Sequence, residues 1–299
     1  MFVDVPERCG LRAYVCMNPV SPITYATSSP LSTAPPPADG PLDASKPILV
    51  FVHAPTASTA SFSRQFADPR LRAVANLVGI DLRLHGRTTA GEWKEGKYTI
   101  DDSAECAMAV LDKLDFPGFF LFGEGVLGCR VSSWLAIRRP EKVLGIILAS
   151  PAFPVEDPSI CQSLEELGKF LCLNKGPGGS GACPPEALEG IASYFFGSEP
   201  RQKERKDEFK EAFEKRYGAG FPPDDTLALA SAPSSSSLGG ADQVVSPLRA
   251  CEEWQRAFKN AKGGARLHTI ASAPTLMSWS DYGIVNRVVA QFVQQAQSS

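Results

Sequence analysis

Short apolar runs mark the predicted strands of this chain. Most of them are nearly continuous and rich in Val, Ile, Leu and Phe, a pattern typical of strands covered on both faces. The run at residues 11–16 alternates instead, which fits a strand at the edge of a sheet. The continuous runs lie at residues 47–52, 77–81, 118–122 and 143–149.

Helical patterns separate these strands. Apolar residues recur at helical spacing over residues 61–74, 100–114 and 126–138. Asp101 and Asp102 begin the second of these helices, where the helix dipole favours acidic residues. Strands that alternate with helices in this way predict a mostly parallel sheet with right-handed crossovers. Further strands are predicted at residues 226–230 and 265–271, and further helices at residues 248–261 and 283–295.

Two segments interrupt this alternation. Residues 21–46 are rich in Pro, Ser, Thr and Ala, which predicts a long surface loop or a disordered insertion. Residues 152–225 contain no buried strand run, so they predict a helical lid inserted into the sheet domain. The sheet domain is therefore predicted at residues 1–151 and 226–299. Within the lid, helix 201–217 carries Phe209, Phe213 and Tyr217 at i, i+4 and i+8, which we interpret as packing residues.

The length, composition and charge of the chain limit the kinds of partner and the location that we expect for the protein. Its 299 residues, 43% of them apolar, can bury a large core. A formal net charge of −3 and the lack of an apolar run of about 20 residues favour neither nucleic acid nor a membrane span. The amino terminus lacks the pattern of a secretory signal, which predicts a cytoplasmic protein. The eight cysteines include no C-x-x-C pair, so we expect no metal, cofactor or disulfide framework.

Residues 118–130, GFFLFGEGVLGCR, are the most informative stretch for the fold. The apolar run breaks into glycines and passes directly into a helical pattern, which predicts a strand, a sharp turn and a helix. Gly123, Gly125 and Gly128 suit a turn in which one residue takes a positive φ while strand and helix pack closely.

This stretch resembles the nucleophile elbow of the α/β-hydrolase family, usually written G-x-S-x-G. Two other motifs follow in the family's order. His53-Ala54-Pro55 resembles its H-G-x, and residues 81–88 resemble its D-x-R-G-H-G-x-S turn. The resemblance implies an α/β-hydrolase fold, a mostly parallel eight-stranded sheet with helices on both faces and an inserted helical lid.

The resemblance also implies positions for a catalytic triad, and these positions hold unusual residues. The nucleophile position is Gly125, which has no side chain, and the glycine expected two residues later is Leu127. The base position falls on Thr275, in the loop before the last helix. The acid position keeps a carboxylate, Asp242, in a D-x-x-x-P turn. The sequence thus predicts a degenerate triad of Gly125, Asp242 and Thr275.

The implied oxyanion hole involves Ala54, Pro55 and Val126. One donor should come from the residue after the His-Gly pair, but here that residue is Pro55, which has no N–H. The amide of Val126 remains as the other donor. We interpret the three histidines, His53, His85 and His268, as structural residues, and His268 in particular as a residue on the face of a strand. We interpret Cys129, Ser132 and Ser133, in the helix after the elbow, as packing residues.

These departures predict a pseudoenzyme that binds a small apolar ligand beneath its lid. Glu124 and Asp242 are its candidate acid–base groups for an isomerisation, cyclisation or elimination, because burial raises the pKa of a carboxyl towards the useful range. Two alternatives stay open. One is an active esterase or epoxide-hydrolase-like enzyme with non-standard residues. The other is a non-catalytic protein-interaction scaffold, and no oligomeric state is favoured.

Overall fold

The structure of the protein is a computed structural model. It describes residues 1–5, 11–19, 39–55, 57–83, 85–88, 99–151, 184–197, 200–217, 248–258, 265–268, 270 and 276–298. Several predicted features lie outside these residues, namely most of loop 21–46, the first half of the lid, strand 226–230, Asp242 and Thr275.

A six-stranded sheet forms the centre of the described fold. In space its strands are ordered β1-β2-β4-β3-β5-β6. Strands β4, β3, β5 and β6 run parallel, whereas β2 pairs antiparallel with both β1 and β4. The prediction of a mostly parallel sheet is confirmed. The strands are β1 (Phe2–Val5), β2 (Leu11–Met17), β3 (Ile48–Val52), β4 (Asn76–Ile80), β5 (Phe119–Glu124) and β6 (Val143–Ala149).

Helices follow the strands in the predicted alternation. None of the described helices is both long and apolar enough to cross a membrane. They are α1 (Ser63–Phe66), α2 (Pro69–Val74), α3 (Ile100–Leu114), α4 (Gly125–Arg138), α5 (Pro185–Phe196), α6 (Lys203–Tyr217), α7 (Leu248–Ala257), α8 (Met277–Ser280) and α9 (Tyr282–Gln297).

Apolar clusters cover both faces of the sheet. Val50 of β3 belongs to one cluster, together with Val110 of α3 and residues of α4. Leu49 and Phe51 belong to the other, together with Val289 of α9. Neighbouring residues of one strand point to opposite faces, so β3 contributes to both clusters. The prediction of helices on both faces is confirmed.

The sheet differs from the prediction at its two ends. Strand β2 is not an edge strand, because β1 pairs with it from Phe2↔Tyr14 to Val5↔Leu11. Strand β6 is only partly buried, with Leu144 55% exposed, although its apolar sequence predicted a strand covered on both faces. The apolar pattern of a strand does not show which strands or helices lie beside it, since strand pairing joins segments that are distant in the sequence.

Two predicted elements also change. The helix predicted at residues 61–74 is divided into a 3-10 turn (Thr59–Phe62), α1 and α2, because Asp68 caps a new helix and Pro69 occupies its first position. Residues 265–268 and 270, within the strand predicted at 265–271, have no regular secondary structure. An apolar run becomes a strand only where a neighbour supplies the hydrogen-bond ladder.

Helices α5 and α6 lie within residues 152–225, the segment that the sequence predicted as a lid, and we call them the lid helices. Phe209 and Phe213 of α6 are almost fully buried, and both contribute to an apolar cluster shared with α5. Their interpretation as packing residues is confirmed. Lys206 and Lys210 of α6 both form ion pairs with Glu189 of α5. One side of the charged helix is therefore used to hold the two lid helices together.

Two glycines allow α4 to approach the sheet at backbone distance. A Cβ atom at Gly123 of β5 would lie 2.3 Å from the carbonyl oxygen of Gly128 in α4. A Cβ atom at Gly128 would lie 2.3 Å from the carbonyl oxygen of Val52 in β3. Carbon atoms cannot come so close to backbone oxygen atoms, so any side chain at either position forces the helix away from the sheet.

We therefore expect Gly128→Ala to lower the free energy of unfolding by about 3 kcal/mol or more. Gly190→Ala is the matched control, because Gly190 is an exposed position of α5 where an added Cβ meets nothing within 4 Å. This second change should stabilise the protein by up to about 1 kcal/mol through helix propensity. Chemical denaturation of both variants tests the prediction, and equal stabilities would contradict it.

Candidate functional site

The elbow predicted at residues 118–130 is present at the carboxyl end of β5. The strand ends at Glu124 and α4 begins at Gly125, which has a φ of +65°. This left-handed conformation is accessible to glycine at little cost and costs other residues about 1–2 kcal/mol. Gly125 therefore occupies the tip of the strand-turn-helix, in the conformation that the family motif implies.

The loop after β3 lies directly against this tip. A Cβ atom at Gly125 would be 3.0 Å from the Cβ of Ala54 and 3.7 Å from the Cδ of Pro55. Ala54 is fully buried. Val126, the second residue of α4, belongs to a first helical turn whose amides have no acceptor within the helix. The three residues predicted for the oxyanion hole thus belong to two segments that meet at Gly125.

The loop after β4 joins the same edge of the sheet. Asp81 is buried and its carboxylate accepts hydrogen bonds from the amides of Thr59 and Arg87, at 2.6 and 2.8 Å. His53 Nε2 accepts from the amide of Leu82 at 3.0 Å, and the rings of His53 and His85 lie 5.0 Å apart. These contacts support the structural interpretation of both histidines. They fix the loops after β3 and β4 to each other.

The third histidine, His268, is exposed. It belongs to the segment without regular secondary structure, so its interpretation as a strand-face residue is wrong.

Glu124 makes the most consequential polar contact of the elbow. Its side chain is fully buried, and its two carboxylate oxygens accept hydrogen bonds from the amide and the hydroxyl of Ser278, at 2.8 and 2.7 Å. Burial raises the pKa of Glu124 to about 7, against the lowering effect of these two hydrogen bonds. Glu124 therefore joins the elbow to α8, the short helix that follows the final loop.

A buried polar network continues from Ser278 to the first helices. Gln65 Nε2 donates to the carbonyl oxygen of Ser278 at 2.6 Å and to Asn286 Oδ1 at 2.9 Å. Asn286 Nδ2 donates to Asp68 Oδ2 at 2.9 Å. All of these side chains are buried, so each hydrogen bond replaces one that water would otherwise make. The network fixes α8 and α9 against α1 and α2.

The cysteine and serines that follow the elbow are packing residues, as the sequence predicted. Cys129 Sγ lies 3.2 Å from the carbonyl oxygen of Gly123, and burial raises the pKa of its thiol. The hydroxyl of Ser133 donates to the carbonyl oxygen of Cys129 at 2.8 Å. Ser132 is fully buried in the same helix. None of these three residues is at the tip of the turn.

An apolar cluster lies above the loop after β3. Ala54 and Ala57 of that loop belong to one buried cluster with residues of both lid helices, and Leu276 and Trp279 complete the cluster. The lid residues are Leu188, Ile191, Ala192, Phe195, Phe196, Phe209 and Phe213. The two lid helices and the loop beside Gly125 therefore contribute to the same apolar cluster.

Ser278, Gln65 and Asn286 are residues of the site that sequence reasoning missed. They belong to segments without a recognised motif, and 154 residues separate Ser278 from Glu124. No sequence signal distinguished Gln65 and Asn286, because their helices also carry other polar residues.

Comparisons with known proteins agree with this architecture. Residues 47–171 match the sequence model of the α/β-hydrolase fold family. A hydrolase from Pseudomonas aeruginosa PA01 has a similar structure, with a TM-score of 0.69 and 19% identity, over 98% of this chain and 97% of that chain. No curated protein sequence matches the chain significantly.

Two further solved structures are similar over almost the full length of both chains. The enol-lactonase from Burkholderia xenovorans LB400 has a TM-score of 0.69 and 14% identity, covering 98% of this chain and 100% of that chain. An esterase from Exiguobacterium antarcticum has a TM-score of 0.67 and 15% identity, covering 98% and 99%. The protein therefore has the α/β-hydrolase fold.

The buried carboxyl of Glu124 predicts a pH-dependent stability. The pKa of this carboxyl is about 7 in the folded protein, against a usual value of 4.5. Between these values the folded protein holds a proton that the unfolded chain releases. Protonation of Glu124 thus contributes about 3 kcal/mol to the stability of the folded protein. This contribution is fully present below about pH 4.5 and is lost as the pH rises through 7.

We expect Glu124→Gln to remove this contribution. The free energy of unfolding should be measured by urea denaturation from pH 4.5 to 8. Over this range it should fall by about 3 kcal/mol more in the wild type than in Glu124→Gln. Glu186→Gln, at an exposed glutamate of α5, controls for the loss of one charge. Parallel curves for the wild type and Glu124→Gln would show that Glu124 does not titrate in this window.

Proposed function

We propose that this protein binds a small apolar molecule beneath its lid and does not hydrolyse esters through an acyl-enzyme. The observation that carries the proposal is Gly125, which occupies the tip of the elbow with a φ of +65° and offers no nucleophilic atom. In the family motif a serine is expected there, because the turn exposes the side chain at its tip.

The residue that faces Gly125 supports this proposal. Ala54 replaces the glycine of the family's H-G-x motif, and its methyl group lies where a side chain at the elbow would need space. A Cβ to Cβ distance of 3.0 Å is shorter than ordinary van der Waals contact, so a serine and Ala54 do not fit together without movement. Ala54 thus fits against a glycine at position 125 and leaves no room for the side chain of a nucleophile.

The rest of the proposed site lacks further parts of the hydrolytic machinery. Pro55 has no N–H to donate to an oxyanion, which leaves the amide of Val126. Loss of one such donor costs about 3 kcal/mol of transition-state stabilisation. We assign the base position to Thr275, which has no imidazole, and the acid position to Asp242. A carboxylate without a histidine to orient cannot activate a nucleophile in the usual way.

The lid suggests the chemical class of the ligand. Its described helices contribute Leu, Ile and Phe side chains to an apolar cluster that includes Ala54 of the loop after β3, and such side chains suit a small molecule with an apolar body. Glu124 and Asp242 are our candidates for acid–base work on such a ligand, in an isomerisation, cyclisation or elimination. For Glu124 this role requires that at least one carboxylate oxygen leaves Ser278.

Similar structures favour a second candidate function, that of an active hydrolase. The relatives named above include an esterase and an enol-lactonase. Such an activity requires a nucleophile other than residue 125. The two functions differ in a direct assay, because an active serine hydrolase turns over a chromogenic ester and reacts with a fluorophosphonate probe.

We expect the wild-type protein to be silent in both assays. Hydrolysis should appear only when Ala54→Gly, Gly125→Ser and Thr275→His are combined, since the members of a triad act as a unit. The combined variant should exceed the wild type by about a hundredfold or more on an activated ester, the scale of general-base catalysis. Labelling of the wild type at any serine would contradict the proposal.

The stability of the same variants provides an independent control. Gly125→Ser alone should lower the free energy of unfolding by about 1–3 kcal/mol, because it combines a left-handed φ with the contact to Ala54. Ala54→Gly should recover part of this lost stability when it is added to Gly125→Ser, and it should not stabilise the wild type. A double-mutant cycle measures the coupling, and additive effects would show that the two positions do not compete for space.

Ligand binding itself is tested by native mass spectrometry of the gently purified protein. We expect a retained apolar molecule that is lost when the lid cluster is weakened by Phe209→Ala. Phe209 lies in the lid cluster, whereas Ile137→Ala is a matched control at an apolar residue that is 72% exposed. If the wild type and both variants show only the mass of the polypeptide, no ligand is retained, and this result would support a scaffold role instead.

A further inference from the structure

The described lid meets the core at Trp279, and two arginines stack on its ring. Trp279 is buried and contacts Phe196 of α5. The guanidinium carbon of Arg64, in α1, lies 5.2 Å from the ring centroid, and that of Arg205, in α6, lies 5.3 Å from it. One arginine of the core and one of the lid therefore share a single indole.

Arg64 has no ion-pair partner among the described residues. Its Nη1 donates to the carbonyl oxygen of Trp279 at 2.9 Å, and its guanidinium also stacks on Tyr282 at 4.9 Å. Burial lowers the pKa of Arg64, and the like charge of Arg205 lowers it further. This cation is thus partly withdrawn from water, and the nearby charge of the Glu208 carboxylate offsets the effect on its pKa only in part.

The indole itself adds another unsatisfied donor. Trp279 Nε1 is buried and has no hydrogen-bond acceptor in the described part of the chain. Arg205 does have a partner, because its Nη1 contacts both carboxylate oxygens of Glu208, at 3.0 and 3.4 Å. Glu208 thus neutralises one of the two arginines. The junction still has more donors and more positive charge than it has acceptors.

We propose that this junction is a binding site for an oxyanion, either a carboxylate or a phosphate group. Arg64 and Arg205 supply the charge-assisted hydrogen bonds, and Trp279 Nε1 supplies a neutral donor. Guanidinium groups match the geometry of carboxylate and phosphate oxygens, so these are the chemical classes that fit. Packing alone accounts for the stacked rings, but it leaves the charge of Arg64 only partly offset by Glu208 and the indole N–H without an acceptor.

An oxyanion at this position bridges the core and the lid, because Arg64 and Arg205 belong to different parts of the fold. The three donors belong to α1, α6 and α8 and not to the elbow itself, so the proposal does not depend on the chemistry proposed for Gly125. Occupancy is expected to stabilise the lid against the core, since a ligand that binds only the folded state stabilises that state.

The test uses the full chain with inorganic phosphate and with benzoate, each titrated at constant ionic strength against chloride. Each anion is scored by the rise in the unfolding midpoint and by the change in intrinsic tryptophan fluorescence that is present in the wild type and absent in Trp279→Phe, since the chain has four tryptophans. We expect saturable binding of at least one anion. Tighter binding of phosphate identifies a phosphate site, and tighter binding of benzoate identifies a site for the carboxylate of an organic ligand.

Four variants separate this site from general electrostatic attraction. Arg205→Gln and Trp279→Phe should weaken binding by about tenfold or more, the loss expected for a hydrogen bond to a charged group. Glu208→Gln should tighten binding, because it removes the carboxylate that competes for Arg205. Lys203→Gln removes a charge from an exposed position of the same helix and should leave binding unchanged.

Three outcomes would overturn the proposal. They are the absence of saturable binding for both anions, an equal loss in Lys203→Gln and Arg205→Gln, and an unchanged affinity in Glu208→Gln. If Trp279→Phe does not fold, the opposite shifts expected for Arg205→Gln and Glu208→Gln still decide the question, because both residues are partly exposed.

Discussion

The close approach of helix α4 to strands β3 and β5 is the constraint on which the site depends. Gly123 and Gly128 have no side chains, and a methyl group at either position would meet a carbonyl oxygen at 2.3 Å. This contact forces the chain to turn within one residue after β5, which places Gly125 in a left-handed conformation. The loops after β3, β4 and β5 then meet at one edge of the sheet, because the strands are parallel.

A second constraint joins this edge to the end of the chain. Glu124 directs both carboxylate oxygens to Ser278, and the network through Gln65 and Asn286 holds the last helices in place. Leu276 and Trp279 flank Ser278 and pack in the apolar cluster beneath the lid helices. A single buried carboxyl thus links the geometry of the elbow to that of the lid. Ionisation of this carboxyl is disfavoured by burial, because the two hydrogen bonds from Ser278 compensate a buried charge only in part.

The same fold occurs in esterases and an enol-lactonase, but a fold does not determine the chemistry of its site. In this chain the local packing at the elbow suits a residue without a side chain. Ala54 fills the space beside Gly125, so the absence of a side chain at this position leaves no void. This complementarity is the physical basis of the binding function that we propose.

The sequence by itself determined the local features: the buried strand runs, the helices between them, and the glycines of the elbow. These follow from periodicity and from backbone conformations that few residues adopt. Tertiary structure alone decided which segments meet. It placed β2 inside the sheet, joined Glu124 to Ser278 across 154 residues, and brought Arg64 and Arg205 to Trp279. Periodicity shows that a residue is buried, but its partner depends on the packing of distant segments, which no local pattern encodes.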